Sequence, residues 1–443
     1  MKNRTLARAF AVVGIASLAM TACSRGEGGE TVEAEQETPT AEVATTDCQP
    51  AQATAGAAKD TAPLKIGTLL PETGTLAFLG PPMVAGVQVA VNEVNEAGGA
   101  LAQPVQLIPG DSGDTTTDTA NTTVDRELAG GADVIVGAAS SAVSLKVIDK
   151  ITSAGVVMFS PANTSDQFVC YPDKGQYFRT APTDVLQAQA LAQLITEDGA
   201  QRAAILTLND PYGTGLAANT VKNLEAAGIA SDQIKKIIYD PNAQSFNAEV
   251  DQVKEFNPDA VAVIGFEESA KILTRMHEVG IGPSDGTLVY GTDGNMGNAL
   301  GEGVAPGLLK GMKGTTPLSE LSPDFDARLR AANPGLVDVN YAGESYDAVI
   351  ISALAAEQGG STAGVDIAAN INAVTQGGDR CTSFAQCAAL IREGKDIDYD
   401  GVTGKLAFGP AGEPSVASYG SLEFDENNKL NTTDYLIVEA IQK

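Results

Sequence analysis

The chain is predicted to be α/β, with two similar doubly wound parallel-sheet lobes joined by a multi-crossing hinge. Three observations predict this. From Leu64 onward, short apolar runs alternate with turns rich in Gly, Ser and Asp and with amphipathic helical stretches, the pattern of parallel strands covered on both faces. The alternation pauses around "RTAPTD" (Arg179 to Asp184) and then resumes, giving two blocks. Residues 63–443 also exceed what one ordinary hydrophobic core serves.

In the first block "LKIGTLLP" is a strand. It is followed by the helix "MVAGVQVAVNEVNEAGG", where Val84, Val87, Val91 and Val94 are expected on one face and Gly98-Gly99 stop the helix. "VQLIPGD" leads to "TTDTANTTVDRELAGG", "ADVIVGAAS" to "SLKVIDKITSAG", and "VVMFSPANTS" follows. In the second block "LQAQALAQLITEDGA" precedes "RAAILTLNDPYGTG", "LAANTVKNLEAAG", "IKKIIYDP", "FNAEVDQVKEFNPD", "AVAVIGFEES", "AKILTRMHEVG" and "TLVYGTDG". A further helix, "SYDAVIISALAAEQ", and a strand-like tail from Gly404 must pack back on these halves, which makes several crossings between lobes. The expected division is residues 63–183 plus 316–403 for the first lobe and 184–315 plus 404–443 for the second.

The N-terminal end carries an address. Lys2, Arg4 and Arg8 precede an apolar run, Ala9 to Met20, too short for a comfortable membrane span, and small residues lead into Cys23. This is the layout of a secretory signal over residues 1–22. "MTAC" (Met20 to Cys23) resembles a bacterial lipobox, so Cys23 is expected to carry lipid and to anchor the chain to the outer face of the cytoplasmic membrane. Residues 24–62 are Glu-, Thr- and Ala-rich with few large apolar groups, the composition of a disordered acidic tether.

The formal charge is −28, and residues 1–22 contribute three basic residues and no acidic ones. Without a basic patch there is nothing to release counterions from a polyanion, which disfavours nucleic acid as partner. Besides Cys23 there are four cysteines, an even number suited to an oxidising compartment. Cys381 and Cys387 close a short loop, and Cys48 with Cys170 is then the remaining pair among three possible pairings. CxxC spacing is absent, which argues against zinc.

In doubly wound sheets ligands sit beyond the carboxyl ends of the strands. "GAASSA" there offers Ser140 and Ser141, either as a helix N-cap or as donors to a carboxylate beside a positive helix end. "SPANTSD" offers Thr164, as part of a capped turn or as a second donor. These tips hold hydroxyls and N–H groups but no cation, an inventory suited to a carboxylate more than a phosphate. "YGTDGNMGN" places Asp293 at a strand end, as an Asp-Gly turn or as a carboxylate able to hold an ammonium group. Tyr212 in "NDPYGTG" and Phe266-Glu267 in "IGFEES" occupy equivalent tips.

"DSGDTTTDTANTT" is better explained by acidic caps at a helix start than by a calcium loop through Asp111, Asp114 and Asp118. His277 is expected to be a partly exposed helix residue. With no GxSxG elbow, no GxGxxG and no Walker loop, no nucleophile–base pair stands out, so the chain is not read as an enzyme and no cofactor or metal is expected.

"LKIGTLLPETGTLAFLGPPMVAGVQVAVNEVNEAGG", "DVIVGAASSAVSLKV", "FSPANTSD", "NDPYGTG" and "GMKGTTP" together resemble the periplasmic branched-chain amino-acid-binding proteins of ABC transporters, with the type I binding-protein fold. The resemblance runs from about Leu64 to the C-terminus. It implies that Ser140, with Ser141, and Thr164 hold a ligand carboxylate, and that the Ala162 carbonyl and Asp293 hold its ammonium, where relatives commonly carry Glu. It implies further that Tyr212 and Phe266 line the cleft and that Leu76, Phe78 and Leu79 line a side-chain pocket. Glu267 departs from an aromatic pair in relatives and offers an acceptor for a polar or basic ligand. The function implied is a monomeric solute-binding lipoprotein that captures an amino acid or short amide for an ABC permease. A ligand sensor on the same fold is the alternative.

Overall fold

The computed structural model describes residues 49–439. The signal, Cys23 and Cys48 lie outside them, so neither the anchor nor the Cys48–Cys170 pairing is described.

The first lobe is built from β1 (Lys65–Leu69), α1 (Gly80–Glu96), β2 (Gln106–Ile108), α2 (Thr119–Ala129), β3 (Val134–Gly137), α3 (Ser141–Ser153), β4 (Val157–Ser160) and β5 (Tyr177–Arg179). Its five strands lie in the order β2-β1-β3-β4-β5, all parallel. β3 and β4 are buried throughout, which is why they read as continuous apolar runs rather than alternating ones.

The second lobe comprises α4 (Asp184–Glu197), β6 (Ala203–Leu208), α5 (Pro211–Ala226), β7 (Ile234–Tyr239), α6 (Asn247–Phe256), β8 (Ala260–Ile264), α7 (Ser269–Glu278), β9 (Leu288–Gly291), α8 (Asn298–Glu302) and β10 (Lys313–Pro317). The chain then returns to the first lobe through α9 (Pro323–Ala332), α10 (Ala342–Gly359), α11 (Gly364–Ile371), β11 (Asp379–Cys381), α12 (Phe384–Arg392), β12 (Ile397–Gly401) and β13 (Gly404–Lys405). Finally β14 (Val416–Phe424) and β15 (Leu430–Glu439) add an antiparallel hairpin to the second sheet, whose order is β15-β14-β10-β9-β8-β6-β7. Three connections therefore cross between the lobes: after β5, after β10 and before β14. Among the described residues no helix is long and apolar enough to cross a membrane.

Three local expectations are corrected. Residues 49–62, expected as the end of a disordered tether, lie against the first lobe: the Gly56 N–H and Lys59 Nζ donate to Asp366 Oδ1 and the Asp60 N–H to Ser361 Oγ. Residues 404–415 do not belong with the second lobe: β13 pairs with β12, and Leu406 and Phe408 are buried in the core built on α10 and the first sheet. The tail reaches the second sheet only at β14, because its first apolar side chains find a nearer core. In α1, Val84 is 37% exposed, whereas Met83, Val87, Val91 and Val94 are buried. The stripe begins one residue earlier because α1 packs against α10 through Gly86, where a Cβ would lie 2.1 Å from the Ala342 carbonyl oxygen.

α10 is buried along nearly its whole length, as expected of a helix without a marked polar face. The loop beyond it is closed by the Cys381–Cys387 disulfide, with Cα atoms 5.4 Å apart. So short a loop removes little unfolded-state entropy, and Cys381→Ser is expected to cost about 2 kcal/mol. A denaturant titration checks this, and an unchanged midpoint would contradict it.

A candidate ligand-binding site between the lobes

The opening strand-to-helix turn of the site is tight. Gly137 has φ +136°, and a Cβ there would lie 2.1 Å from the Leu69 carbonyl oxygen, so only glycine lets β3 end this close to β1. The next residues form the N-terminus of α3. Ser140 is the N-cap, its Oγ accepting from the Val143 N–H at 3.3 Å. Ser141, which begins α3, accepts from the Ser165 N–H through its Oγ at 3.4 Å. The two serines thus divide their work, one ending the helix and the other tying it to the tip after β4.

That second tip is held from below. Ser160 Oγ donates to the Ala138 carbonyl at 2.7 Å and accepts from the Asn163 N–H at 2.9 Å, while Asn163 Nδ2 donates to the Ala139 carbonyl at 2.8 Å. The fully buried Arg179 clamps the tip: its Nη1 donates to the carbonyls of Asn163 (3.2 Å) and Ser165 (2.8 Å). Its other face pairs with Glu413, Nε lying at 2.8 Å. Thr164 lies between the two clamped carbonyls, and its own carbonyl accepts from the Asp184 N–H at 2.7 Å.

The second lobe contributes an acid. Asp293 follows β9 and is 6% exposed. Tyr212 Oη, from the first turn of α5, donates to Asp293 Oδ1 at 2.9 Å, and Tyr341 Oη, just before α10, donates to Oδ2 at 2.8 Å. Burial raises the Asp293 carboxyl above its usual range, against the pull of the two tyrosine hydroxyls. Asp184 is fully buried, and burial followed by the charge of Asp293 pushes its carboxyl well up, against a hydrogen bond from the Thr164 side chain. Arg179, the nearby cation, is already spent on Glu413. The interior around Asp293 is therefore short of positive charge.

These groups converge. Ser140, Ser141, Ala162, Thr164 and Tyr341 from the first lobe meet Tyr212, Phe266 and Asp293 from the second, with Leu76 and Leu79 closing one side. The space they enclose is about 10 Å³, roughly that of one water, so a larger molecule enters by parting the lobes. Cross-lobe bonds seal the rim: Ser165 Oγ donates to the Pro211 carbonyl at 3.1 Å, and Asn219 Nδ2 to Asp166 Oδ2 at 3.3 Å.

Two of the residues named from the sequence lie elsewhere. Phe78 and the exposed Glu267 line an adjoining cavity of about 60 Å³ with Ala270 and Leu300, across Phe266 and Gly294 from the space around Asp293. The register of the turn after β8 sends Phe266 inward to stack on Tyr212, ring centroids 5.6 Å apart, and its neighbour outward. Conversely, Tyr341, Arg179 and Asp184 were missed. An arginine within the apolar run "YFR" was a signal of a buried clamp. Nothing local marked Tyr341, which approaches Asp293 from 48 residues away in sequence.

Asp111 and Asp114 hold turns rather than cap α2. Asp111 Oδ1 accepts from the N–H groups of Glu72, Thr73 and Gly113, and Asp114 Oδ1 from that of Thr116. His277 is partly exposed, its Nδ1 2.9 Å from Asp285 Oδ2.

The comparisons agree with this architecture. A family model described as "Periplasmic binding protein" matches residues 63–417. The chain is 27% identical over 368 residues to the chemotactic signal transduction system substrate-binding protein BasB of Halobacterium salinarum, covering 80% of this chain and 85% of that protein. It is 26% identical to the Leu/Ile/Val-binding protein BraC3 of Rhizobium johnstonii, covering 82% and 92%. Among solved structures, the branched-chain amino acid transporter substrate-binding protein LivJ of Streptococcus pneumoniae, in complex with isoleucine, superposes with TM-score 0.69 at 22% identity, covering 85% and 99%. A solute-binding protein from R. palustris in complex with benzoate superposes with TM-score 0.66 at 18% identity, covering 85% and 98%. With two doubly wound lobes, three crossings and a family match spanning most of its length, this chain belongs to the periplasmic binding protein family.

Proposed function

We propose that the protein is an extracytoplasmic solute-binding lipoprotein, anchored through Cys23, that captures an amino acid between its lobes as a monomer and delivers it to an ABC permease. The observation that carries this is the buried Asp293 carboxylate, oriented by Tyr212 and Tyr341 and facing the hydroxyl and N–H groups of the Ser140–Ser141 and Thr164 tips. An acceptor of negative sign opposite neutral donors matches a zwitterion: ammonium on the second lobe, carboxylate on the first. Groups on both lobes reward closure, so ligand binding shifts the hinge toward the closed form. No bond is made or broken. The relatives named for leucine, isoleucine and valine support this reading.

A second reading, a sensor that presents its ligand-closed form to a membrane signalling partner, is favoured by the chemotactic relative. The pocket would be the same and the partner different.

Native mass spectrometry and calorimetry of the purified protein test the common core of both. The expected result is stoichiometric binding of one free amino acid. Failure of every proteinogenic amino acid to bind or to raise the melting temperature would refute it. Co-purification with a permease rather than with a receptor separates transport from sensing.

A further inference from the structure

The space around Asp293 is not the largest between the lobes. Beside it lies a chamber of about 290 Å³, close to the lower size of small-ligand clefts. Leu76, Ser140 and Phe266 line both spaces, so they form the partition between an inner and an outer chamber. Phe266 is its aromatic part: the ring is half-buried, stacked on Tyr212 on one side and facing the outer chamber on the other.

The outer chamber has one sign of charge. Asp114 enters from the first lobe and Asp210 and Asp240 from the second, alongside asparagine and threonine side chains, and among the described residues no lysine or arginine lines it. At the rim the exposed Lys146 donates its ammonium to the Thr115 carbonyl. Asp210 spends Oδ1 on the Gly213 N–H at 2.7 Å, capping α5. Its carboxyl is pushed up to about 7, chiefly by burial and further by the negative charges of Glu268 and Asp293. Carboxyl groups therefore line both chambers, and a cation among them would hold them ionised, whereas a purely aliphatic side chain would leave them without a counter-charge.

We propose that the ligand spans the partition, with an α-amino-acid head at Asp293 and a long side chain passing Phe266 to place an amine or guanidinium among Asp210, Asp240 and Asp114. This rests on the inner chamber being an amino-acid head site. Displacing Phe266 joins the two chambers, and the cation at the far end makes charge-assisted hydrogen bonds to carboxylates that have no basic partner. The specificity is then for basic amino acids rather than branched aliphatic ones.

Calorimetry with L-lysine, L-arginine, L-norleucine and L-leucine tests it. Norleucine matches the lysine stem without its charge. Lysine or arginine is expected to bind at least tenfold more tightly than norleucine. That ratio is expected to fall at least fivefold in Asp240→Asn, an exposed position, and further in the Asp210→Asn/Asp240→Asn double variant, where Asn keeps the cap of α5. Norleucine or leucine binding as tightly as lysine, or a ratio unmoved by either variant, overturns the proposal. If leucine binds in an Asp293-dependent way with no advantage to lysine, only the cationic tail falls. If none of the four binds while another amino acid does, the cationic tail falls and the head site stands; if no proteinogenic amino acid binds, both fall.

Discussion

Replacing Asp293 by alanine is expected to weaken amino-acid binding by about 2 to 5 kcal/mol, which is roughly a 30- to several-thousandfold rise in Kd. The carboxylate is buried and held by two tyrosine hydroxyls at 2.9 and 2.8 Å, so an ammonium paired with it would be desolvated and would lose its counter-charge outright. Asp293→Asn separates charge from architecture. The amide oxygen can still accept a tyrosine hydrogen bond, so Asn is expected to keep the thermal stability of the free protein while losing most of the affinity. Calorimetry on the three proteins checks this, and an unchanged Kd in Asp293→Ala would remove the residue from the site. The direction of pH dependence follows from the raised carboxyl. Acidification protonates Asp293 and weakens ammonium binding, and it does so at a pH above the ordinary carboxylate range.

Glu127→Gln is expected to change stability rather than binding. Glu127 lies on α2, fully buried, with the Thr68 N–H against its carboxyl. It occupies the space left by Gly67 on β1, where a Cβ would come within 2.7 Å of its carboxyl carbon. Burial raises its pKa from 4.5 to about 8, against the pull of Arg126. The folded protein therefore keeps this proton up to about pH 8, whereas the unfolded chain loses it near pH 4.5. Between those values the unfolded state binds fewer protons, so stability falls as pH rises. The penalty is absent below the unfolded pKa and complete above the folded one. Gln carries no proton to lose, so the stability of Glu127→Gln relative to wild type is expected to rise by about 3 to 5 kcal/mol between pH 4.5 and pH 8. Glu344 and Asp210, raised to about 8 and about 7, add to the slope of both proteins and cancel in the comparison. Denaturant titrations at the two pH values decide the matter, and a pH-independent difference would show that Glu127 is ionised in the folded state.

The acids illustrate how far a sequence can be read. Asp293 was visible as an acid at a strand end because strand ends in doubly wound sheets are where backbone groups are free. Glu127 was not, because in sequence it is one more charged residue in an amphipathic helix. Only the glycine on the neighbouring strand, 60 residues earlier, makes the hole that it fills. Ser140 had two open uses, and the backbone settles the first of them: its Oγ caps α3, while Ser141 turns to the adjacent tip. Phe266 and Glu267 were indistinguishable as a pair, since the direction of each side chain depends on how the turn after β8 is set against α5.

What the sequence determined by itself was local: the period of its apolar residues, the turns that interrupt it, and hence two α/β blocks with their strand tips. These depend on interactions between near neighbours. Tertiary structure alone decided which distant groups meet, including Tyr341 with Asp293, Arg179 with Glu413, and residues 404–415 with the first core rather than the second. Such meetings are set by the summed packing of both lobes and the paths of three crossings, and no window along the chain contains that information.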